Sequence, residues 1–186
     1  MPFVSRVSSP VGELILTASE HALTGVYFPT SRHGPPPLVP PLHAVERGTG
    51  GEVAAPERGT GGDVLALAAA QLSEYFSGTR TTFDLPLDAT GSEFERQVWG
   101  LLRAIPYGAT TSYGELARRL GDVKLSRAVG AANGKNPIPI IVPCHRVIGA
   151  NGDLTGFGGG IETKRWLLEH EGVLTPPLPI GERGRG

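Results

Sequence analysis

The stretch NPIPIIVPCHRV, residues 136–147, decides how the second half of this chain folds. Pro137, Pro139 and Pro143 each lack a backbone amide donor and disfavour helix in the residue before them. This apolar run is therefore predicted to be extended or turning rather than helical. Cys144, the only cysteine in the sequence, follows the last proline and is expected to lie at a rigid turn.

The pair Cys144–His145 suggests nucleophilic chemistry. Neighbouring side chains point apart on a helix, but on a turn the two could share one pocket, where the imidazole can take the thiol proton. The thiolate is the nucleophilic form of cysteine. A lone cysteine after an Ile-Ile-Val run is, however, usually an inert core residue. The neighbouring His145 and Arg146 and the preceding prolines count in favour of a reactive cysteine. They do not decide the question, so the residues alone leave both interpretations open.

Upstream of this stretch, two capping boxes predict helices. Ser92 with Glu95 begins a helix that ends before Pro106. Its apolar stripe consists of Phe94, Val98, Leu101, Leu102 and Ile105. Ser112 with Glu115 begins a shorter helix over residues 113–120, and residues 126–133 form the next. Glycines at positions 121 and 134 end these two short helices, and such a pair is typical of a helix-turn-helix.

The first half of the chain predicts a small α/β unit. Residues 3–7, 14–17 and 23–28 are predicted strands of an antiparallel meander. Asp63 is expected to cap a helix that ends at Gly78, and residues 81–87 to form another strand. The helix has apolar positions at Leu65, Ala69, Leu72 and Phe76.

Between these elements, residues 29–62 are rich in proline and glycine and are predicted to be a mobile insertion. Within it, ERGTGGEV at 46–53 recurs as ERGTGGDV at 57–64. Two copies are too few for a repeat architecture.

Composition restricts the possible functions. A net charge of -1 gives no global attraction to nucleic acid, and one cysteine excludes an internal disulfide and any multi-cysteine zinc site. There is no membrane-length apolar stretch, and the first residues lack a secretory pattern, so a cytoplasmic protein is expected. Residues 118–146 carry six basic side chains against one acidic one, which could form a local phosphate-facing surface, although the residues alone favour an ordinary solvated surface. The basic six are Arg118, Arg119, Lys124, Arg127, Lys135 and Arg146.

Taken together, these segments resemble the O6-alkylguanine-DNA alkyltransferase family, in its bacterial form. The resemblance centres on PCHRV at 143–147 and runs from about residue 92 to residue 172. It includes IPYGATTSYGELA (105–117), SRAVGAANGKNPIPIIVPCHRVIG (126–149) and GFGGGIETKRWLLEHEG (156–172).

The resemblance implies an α+β fold with two domains. A ribonuclease H-like α/β domain over residues 1–88, holding the insertion at 29–62, would precede a mostly helical, winged helix-turn-helix-like domain over 89–174. Residues 175–186 would be a flexible tail.

The family pattern also implies roles for the site residues. Cys144 would accept the alkyl group, His145 would act on it as a base through a water, and Glu171 would orient His145. Tyr113 would contact guanine N3 and supply a proton, and Asn136 would be a hinge that organises the cysteine turn. The remaining substrate-binding residues would be Val147, Phe157, Gly158 and Lys164, with Phe157 standing where a tyrosine is frequent. Glycines around Phe157 are expected to make this loop mobile and the pocket roomy.

Double-stranded DNA is the implied partner, bound through its minor groove with the damaged guanine flipped out. Arg127 would fill the space that the guanine leaves. The other implied DNA contacts are Gly114, Ser126, Ala128, Gly130, Ala131, Arg146 and Ala150.

The implied reaction is a single, irreversible transfer by a monomer, with no metal or organic cofactor, and it would repair O6-alkylguanine. The resemblance also allows repair of O4-alkylthymine and cooperative binding along DNA. A DNA-binding sensor without transfer activity and a cysteine hydrolase remain alternatives.

Overall fold

The structure is a computed structural model that describes residues 2–30 and 60–175. The predicted insertion, apart from its two ends, and the predicted tail after residue 175 lie outside these residues. The first ERGTGG copy and the beginning of the second also lie outside them.

The chain begins with an antiparallel sheet in the order β1-β2-β3, which confirms the predicted meander. The strands are β1 (Phe3–Ser9), β2 (Gly12–Ala18) and β3 (Leu23–Tyr27). β1 and β2 pair without interruption from Phe3 opposite Ala18 to Ser9 opposite Gly12. Leu14, Leu16 and Ala18 alternate along β2 and are fully buried, so one face of the sheet forms core.

Helix α1 (Gly61–Phe76) packs on this sheet. The prediction that Asp63 caps the helix is wrong: Thr60 is the N-cap residue, and Asp63 at the third helical position accepts a hydrogen bond from the Thr60 amide at 3.1 Å. Leu72 and Tyr75 are fully buried on the side of the helix that faces the core. Gly78 follows the helix with a positive φ of 77°, as expected of a stop signal.

The predicted strand at residues 81–87 is also wrong. Within the described residues, the segment forms an isolated β-bridge between Leu87 and Leu23, in which the Leu23 amide donates to the Pro86 carbonyl at 2.8 Å. The Gln71 side chain accepts a hydrogen bond from the Asp84 amide at 2.9 Å and donates one to the Asp84 carbonyl at 2.8 Å. Pro86 has no amide hydrogen to donate. Side-chain hydrogen bonds thus replace the ladder that a strand would need.

The second unit is mostly helical. It contains α2 (Glu93–Arg103), β4 (Thr111–Ser112), α3 (Tyr113–Arg119), α4 (Ser126–Gly134), β5 (Val147–Ile148) and α5 (Ile161–His170). The Ser92–Glu95 capping box is present in full. The second box is only half formed, because Ser112 accepts from the Glu115 amide while the Glu115 carboxylate pairs with Arg118 and Arg119.

Two short strands complete the second unit. β4 and β5 pair in parallel, Thr111 opposite Val147, and so connect the start of α3 to the end of the cysteine turn. Sequence periodicity could not predict strands of two residues. The antiparallel sheet with its helix, followed by a mainly helical unit, confirms the predicted α+β class.

The two units meet along β3 and α1. The Val26 amide donates to the Pro137 carbonyl at 2.8 Å, which attaches the cysteine-bearing segment to the first sheet. Among the described residues, no helix is long and apolar enough to cross a bilayer.

Candidate active site at Cys144

A cavity of about 1020 Å³ lies where the two units and the helix pair α3–α4 meet. Cys144 is only 4% exposed, yet it lines this cavity. The 155–158 loop, the segment from Thr155 to Gly158, also lines the cavity, and β3 contributes Val26 and Tyr27. Cys144 thus belongs to the buried core and lines the cavity at the same time, so its burial alone does not make it an inert core residue.

The backbone before Cys144 is folded by Asn136. Its side-chain amide donates to the Val142 carbonyl at 2.7 Å, and its oxygen accepts from the Ile138 amide at 3.0 Å. Between them Ile140 has a φ of 75°, a left-handed conformation that a β-branched residue rarely adopts. Cys144–Arg146 then forms a single 3-10 turn. The Asn136 side chain therefore holds together the turn that precedes Cys144.

Burial raises the pKa of the Cys144 thiol to about 11. The Asn136 side chain, the charge of Lys164 and the backbone amides of Cys144 and His145 act against this increase. The thiol is thus protonated at neutral pH, and it needs a base in order to react.

His145 follows Cys144 in the same 3-10 turn and is fully buried. Of these two residues Cys144 lines the cavity and His145 does not, so the expectation that both side chains share one pocket is wrong. Nε2 of His145 is 2.7 Å from Oε1 of Glu171, while Nδ1 is buried and has no partner among the described residues. Burial lowers the pKa of His145 and outweighs the opposing effect of Glu171, so the ring is neutral. A proton on Nε2 leaves the Nδ1 lone pair available as a base.

Glu171 is held by a set of donors from three parts of the chain. Arg146 donates to it through Nε at 2.8 Å and Nη2 at 3.0 Å, Tyr75 through its hydroxyl at 2.8 Å, and Gly108 through its amide at 3.3 Å. Burial raises the pKa of Glu171, but the hydrogen bonds and charges of His145 and Arg146 prevail and lower it to about 2. Glu171 is therefore ionised at any physiological pH.

The assignment of Arg146 to DNA binding is wrong. Its side chain is buried, bonded to Glu171, and donates from Nη1 to the Ile105 carbonyl at 2.6 Å. A guanidinium with these partners is not available to a phosphate. Its position in the basic 118–146 segment gave no sign of this, because burial is a tertiary property.

Tyr113 and Lys164 meet at one carbonyl, that of Thr155. The Tyr113 hydroxyl donates to it at 3.0 Å and the Lys164 ammonium at 2.7 Å. Lys164 is fully buried, with a pKa lowered to about 8 by that burial, and it also donates to the Val147 carbonyl at 2.5 Å. Lys164 thus joins the cysteine turn to the 155–158 loop.

The glycine-rich segment after Thr155 is restrained by the first unit. Phe157 packs edge-on against Phe28, with ring centroids 5.5 Å apart, and the Thr30 hydroxyl donates to the Gly159 carbonyl at 3.0 Å. A Cβ on Gly159 would lie 2.7 Å from Phe28 and 2.9 Å from Phe157. Glycine is therefore required there for close packing. Gly158 is exposed at the rim of the cavity.

The helix pair presents most of the predicted DNA contacts on its outer side. Ser126, Arg127 and Gly130 line the cavity, and Arg127 is exposed. Ala128, Ala131 and Ala150 are exposed, and Gly114 is half-buried beside Ser126.

Sequence reasoning missed three residues of this region. Asn133 is buried, lines the cavity and donates to the Cys144 carbonyl at 3.4 Å. Phe28 and Tyr75 reach the site from the first unit. The spacing of Tyr75 three residues after Leu72 on the predicted helix indicates that Tyr75 is buried. Nothing in the sequence indicates its hydrogen bond to Glu171.

Comparison with known proteins identifies the family. The model of the 6-O-methylguanine DNA methyltransferase ribonuclease-like domain matches residues 4–89, and that of the DNA-binding domain of the same family matches residues 93–173.

Individual relatives agree. The chain is 57% identical over 109 residues to the methylated-DNA--protein-cysteine methyltransferase of Mycolicibacterium paratuberculosis, which covers 59% of this chain and 66%, just under two thirds, of the relative. It is 55% identical over 105 residues to that of Methanosarcina acetivorans, covering 56% of this chain and 67% of the relative. The crystal structure of Mycobacterium tuberculosis OGT in complex with DNA superposes with a TM-score of 0.75 and 42% identity over 91% of this chain and 92% of that one. The chain belongs to the 6-O-methylguanine DNA methyltransferase family.

Proposed function

We propose that this protein repairs DNA by moving the alkyl group of O6-alkylguanine directly to the Cys144 sulfur, once per molecule. The observation that carries this proposal is the position of Cys144, which lines a large cavity and directly precedes His145, whose buried ring pairs with Glu171. The two relatives described above, named methylated-DNA--protein-cysteine methyltransferases, support the same activity.

Proton transfer comes first. The Cys144 thiol, with a pKa of about 11, gives its proton to Nδ1 of His145 through a water. This nitrogen has the free lone pair, and Glu171 on the other side stabilises the imidazolium that forms. Lys164 adds a positive charge that favours the thiolate.

The thiolate then attacks the alkyl carbon. A sulfur–carbon bond forms as the carbon–O6 bond breaks, and guanine leaves with the electron pair. Tyr113, at the border of the cavity, donates a proton to the departing base, since neutral guanine is a better leaving group than its anion. This leaves Tyr113 as a tyrosinate and His145 as an imidazolium, and solvent carries the proton that His145 took from sulfur to Tyr113, so that both side chains return to their starting forms. A thioether is not hydrolysed, so each molecule reacts once.

Substrate binding uses both walls of the cavity. The flipped guanine would lie between the cysteine turn and the 155–158 loop, with the Val147 carbonyl and the Gly158 amide as hydrogen-bonding partners. Phe157 would serve as an apolar wall. The cavity is large enough for alkyl groups bigger than methyl.

The helix pair α3–α4 would bind duplex DNA in the minor groove of the DNA. The small exposed residues Ala128 and Ala131 allow close approach of the backbone, and Arg127, at the cavity mouth, would occupy the space of the flipped base. One chain supplies all these parts, so we propose a monomer as the active form.

Mass spectrometry of the intact protein after incubation with O6-benzylguanine tests the proposal. We expect one benzyl group per molecule, on the peptide that contains Cys144, and none on a Cys144→Ala variant that still binds duplex DNA. Unmodified wild-type protein that binds alkylated DNA would support a sensor instead. Repeated turnover of an ester, dependent on Cys144, would support a cysteine hydrolase.

A further inference from the structure

A tyrosine from the first unit takes part in the hydrogen bonding of the His145–Glu171 pair. The Tyr75 hydroxyl, on helix α1, donates to Oε1 of Glu171 at 2.8 Å. This is the same oxygen that lies 2.7 Å from Nε2 of His145. Tyr75 therefore acts on the one carboxylate atom that stabilises the imidazole.

The Tyr75 ring is fixed in place by its surroundings. It is fully buried and makes edge-on contacts with Tyr107, at 6.1 Å between ring centroids, and with His170, at 5.2 Å. His170 also contacts the Tyr75 carbonyl through Nε2 at 2.7 Å. Little conformational freedom remains to be lost when the hydroxyl meets the carboxylate.

The hydroxyl remains a neutral donor at every accessible pH. Burial first, and then the charge and hydrogen bond of Glu171, raise the pKa of Tyr75 far above its ordinary range. A donor of this kind disperses the negative charge of the carboxylate and so limits its basicity.

Further ionisable groups lie near the pair within the part of the chain that the structure describes. Arg146, next to His145 in the chain, faces Glu171, and Tyr107, from the segment after α2, interacts electrostatically with Glu171 and Arg146. Lys164, from α5, disfavours the charged form of His145, and Cys144 precedes His145 in the same turn. The remaining neighbour, His170, is directed to Tyr75 rather than to Glu171.

We infer that Tyr75 is a positioning residue of the transfer reaction, supplied by the first unit, which fixes Oε1 of Glu171 and restrains its basicity so that His145 stays neutral. The inference rests on the proposed function. Without the hydroxyl, the carboxylate becomes more basic and draws a proton onto the imidazole at higher pH. His145 then loses its free lone pair over a wider acidic range.

The test compares Tyr75→Phe with Tyr107→Phe. Both remove one hydroxyl from the same aromatic cluster, but the Tyr107 hydroxyl donates to the His170 carbonyl, at 3.2 Å, and not to Glu171. The rate of benzyl transfer from O6-benzylguanine is measured in single-turnover conditions from about pH 5 to 9. For Tyr75→Phe we expect the acidic decline of the rate to move up by about one pH unit, with a rate within about twofold of wild type at pH 8.

Tyr107→Phe should leave the position of the acidic decline unchanged. Tyr75→Phe in a Glu171→Gln background should cause no further shift, since the acceptor is altered. Equal pH profiles for wild type and Tyr75→Phe would overturn the inference, as would a uniform loss of rate at all pH values with no shift. Absence of transfer in the wild type would instead refute the proposed function.

Discussion

The residues around Cys144 form two regions that differ in burial. The first is the buried relay, which we define as His145, Glu171, Arg146 and Tyr75. All four residues are at most 5% exposed, and both oxygens of Glu171 accept hydrogen bonds from protein donors. The second is the helix-pair surface, defined by Arg127, Ala128 and Ala131, which is exposed.

This difference separates chemistry from recognition. Substitutions in the relay alter proton transfer and should affect every substrate, including a free base. Substitutions on the helix-pair surface should affect only substrates that contain duplex DNA. Variants on either side can therefore test whether the division holds.

The largest effect is expected for Glu171→Gln. The change leaves buried Arg146 without its counter-ion, which should lower the free energy of unfolding by about 3 to 5 kcal/mol. It also weakens the hydrogen bond that orients His145, so we expect transfer to slow by about 100-fold. Chemical denaturation and single-turnover kinetics measure the two effects. Glu115→Gln is the matched control: its partners Arg118 and Arg119 are exposed, so a loss below about 1 kcal/mol is expected. Equal losses for the two variants would contradict the account.

The same variant has a predictable pH dependence. The pKa of Glu171 falls from 4.5 to about 2 on folding, so its contribution to stability is complete above about pH 4.5 and is lost as the pH falls toward 2. The stability difference between wild type and Glu171→Gln should shrink over that range. A difference that stays constant from pH 6 to pH 2.5 would show that the carboxylate charge is not what stabilises the relay.

On the other side, Arg127→Ala should slow repair of O6-methylguanine in duplex DNA by about tenfold. Its reaction with free O6-benzylguanine should stay within about twofold of wild type, since no base has to be extruded. Arg103→Ala, an exposed arginine of α2 outside the cavity lining, controls for the loss of surface charge. If Arg127→Ala slows both reactions equally, the helix-pair surface is not separate from the chemistry.

A smaller effect is expected for Gly159→Ala, at a buried glycine that packs against Phe28 and Phe157, two rings that line the cavity. The added Cβ meets Phe28 and Phe157 at less than 3 Å and must displace one ring. We expect a loss of about three- to fivefold with the benzyl substrate and less with the methyl substrate, because only the larger group needs the full width of the cavity. Gly100→Ala, on α2 with open space around it, should be neutral. A Gly159→Ala variant that transfers benzyl at the wild-type rate would show that this wall does not bound the substrate.

The sequence was most informative where local chemistry determines structure. The proline run excluded a helix before Cys144, and the Ser92–Glu95 pair gave the start of α2, because both effects act within a few residues. Asn136 and Glu171 could be placed only through the family resemblance.

The failures arose from long-range contacts. Arg146 looked like a surface cation until its partner Glu171, 25 residues away, was known. Tyr75 is separated from Glu171 by 96 residues, so no pattern within α1 could reveal their hydrogen bond. Similarly, residues 81–87 have strand-like composition, but Gln71 occupies the groups that a ladder would use.

The most direct test of the central claim is the stoichiometry of repair. Wild-type protein is mixed with excess duplex DNA containing O6-methylguanine, and restored guanine is counted against protein molecules. The account predicts a plateau at one guanine per protein, with one methyl group on Cys144. Continued repair beyond one equivalent, or a methyl group on any other residue, would contradict it.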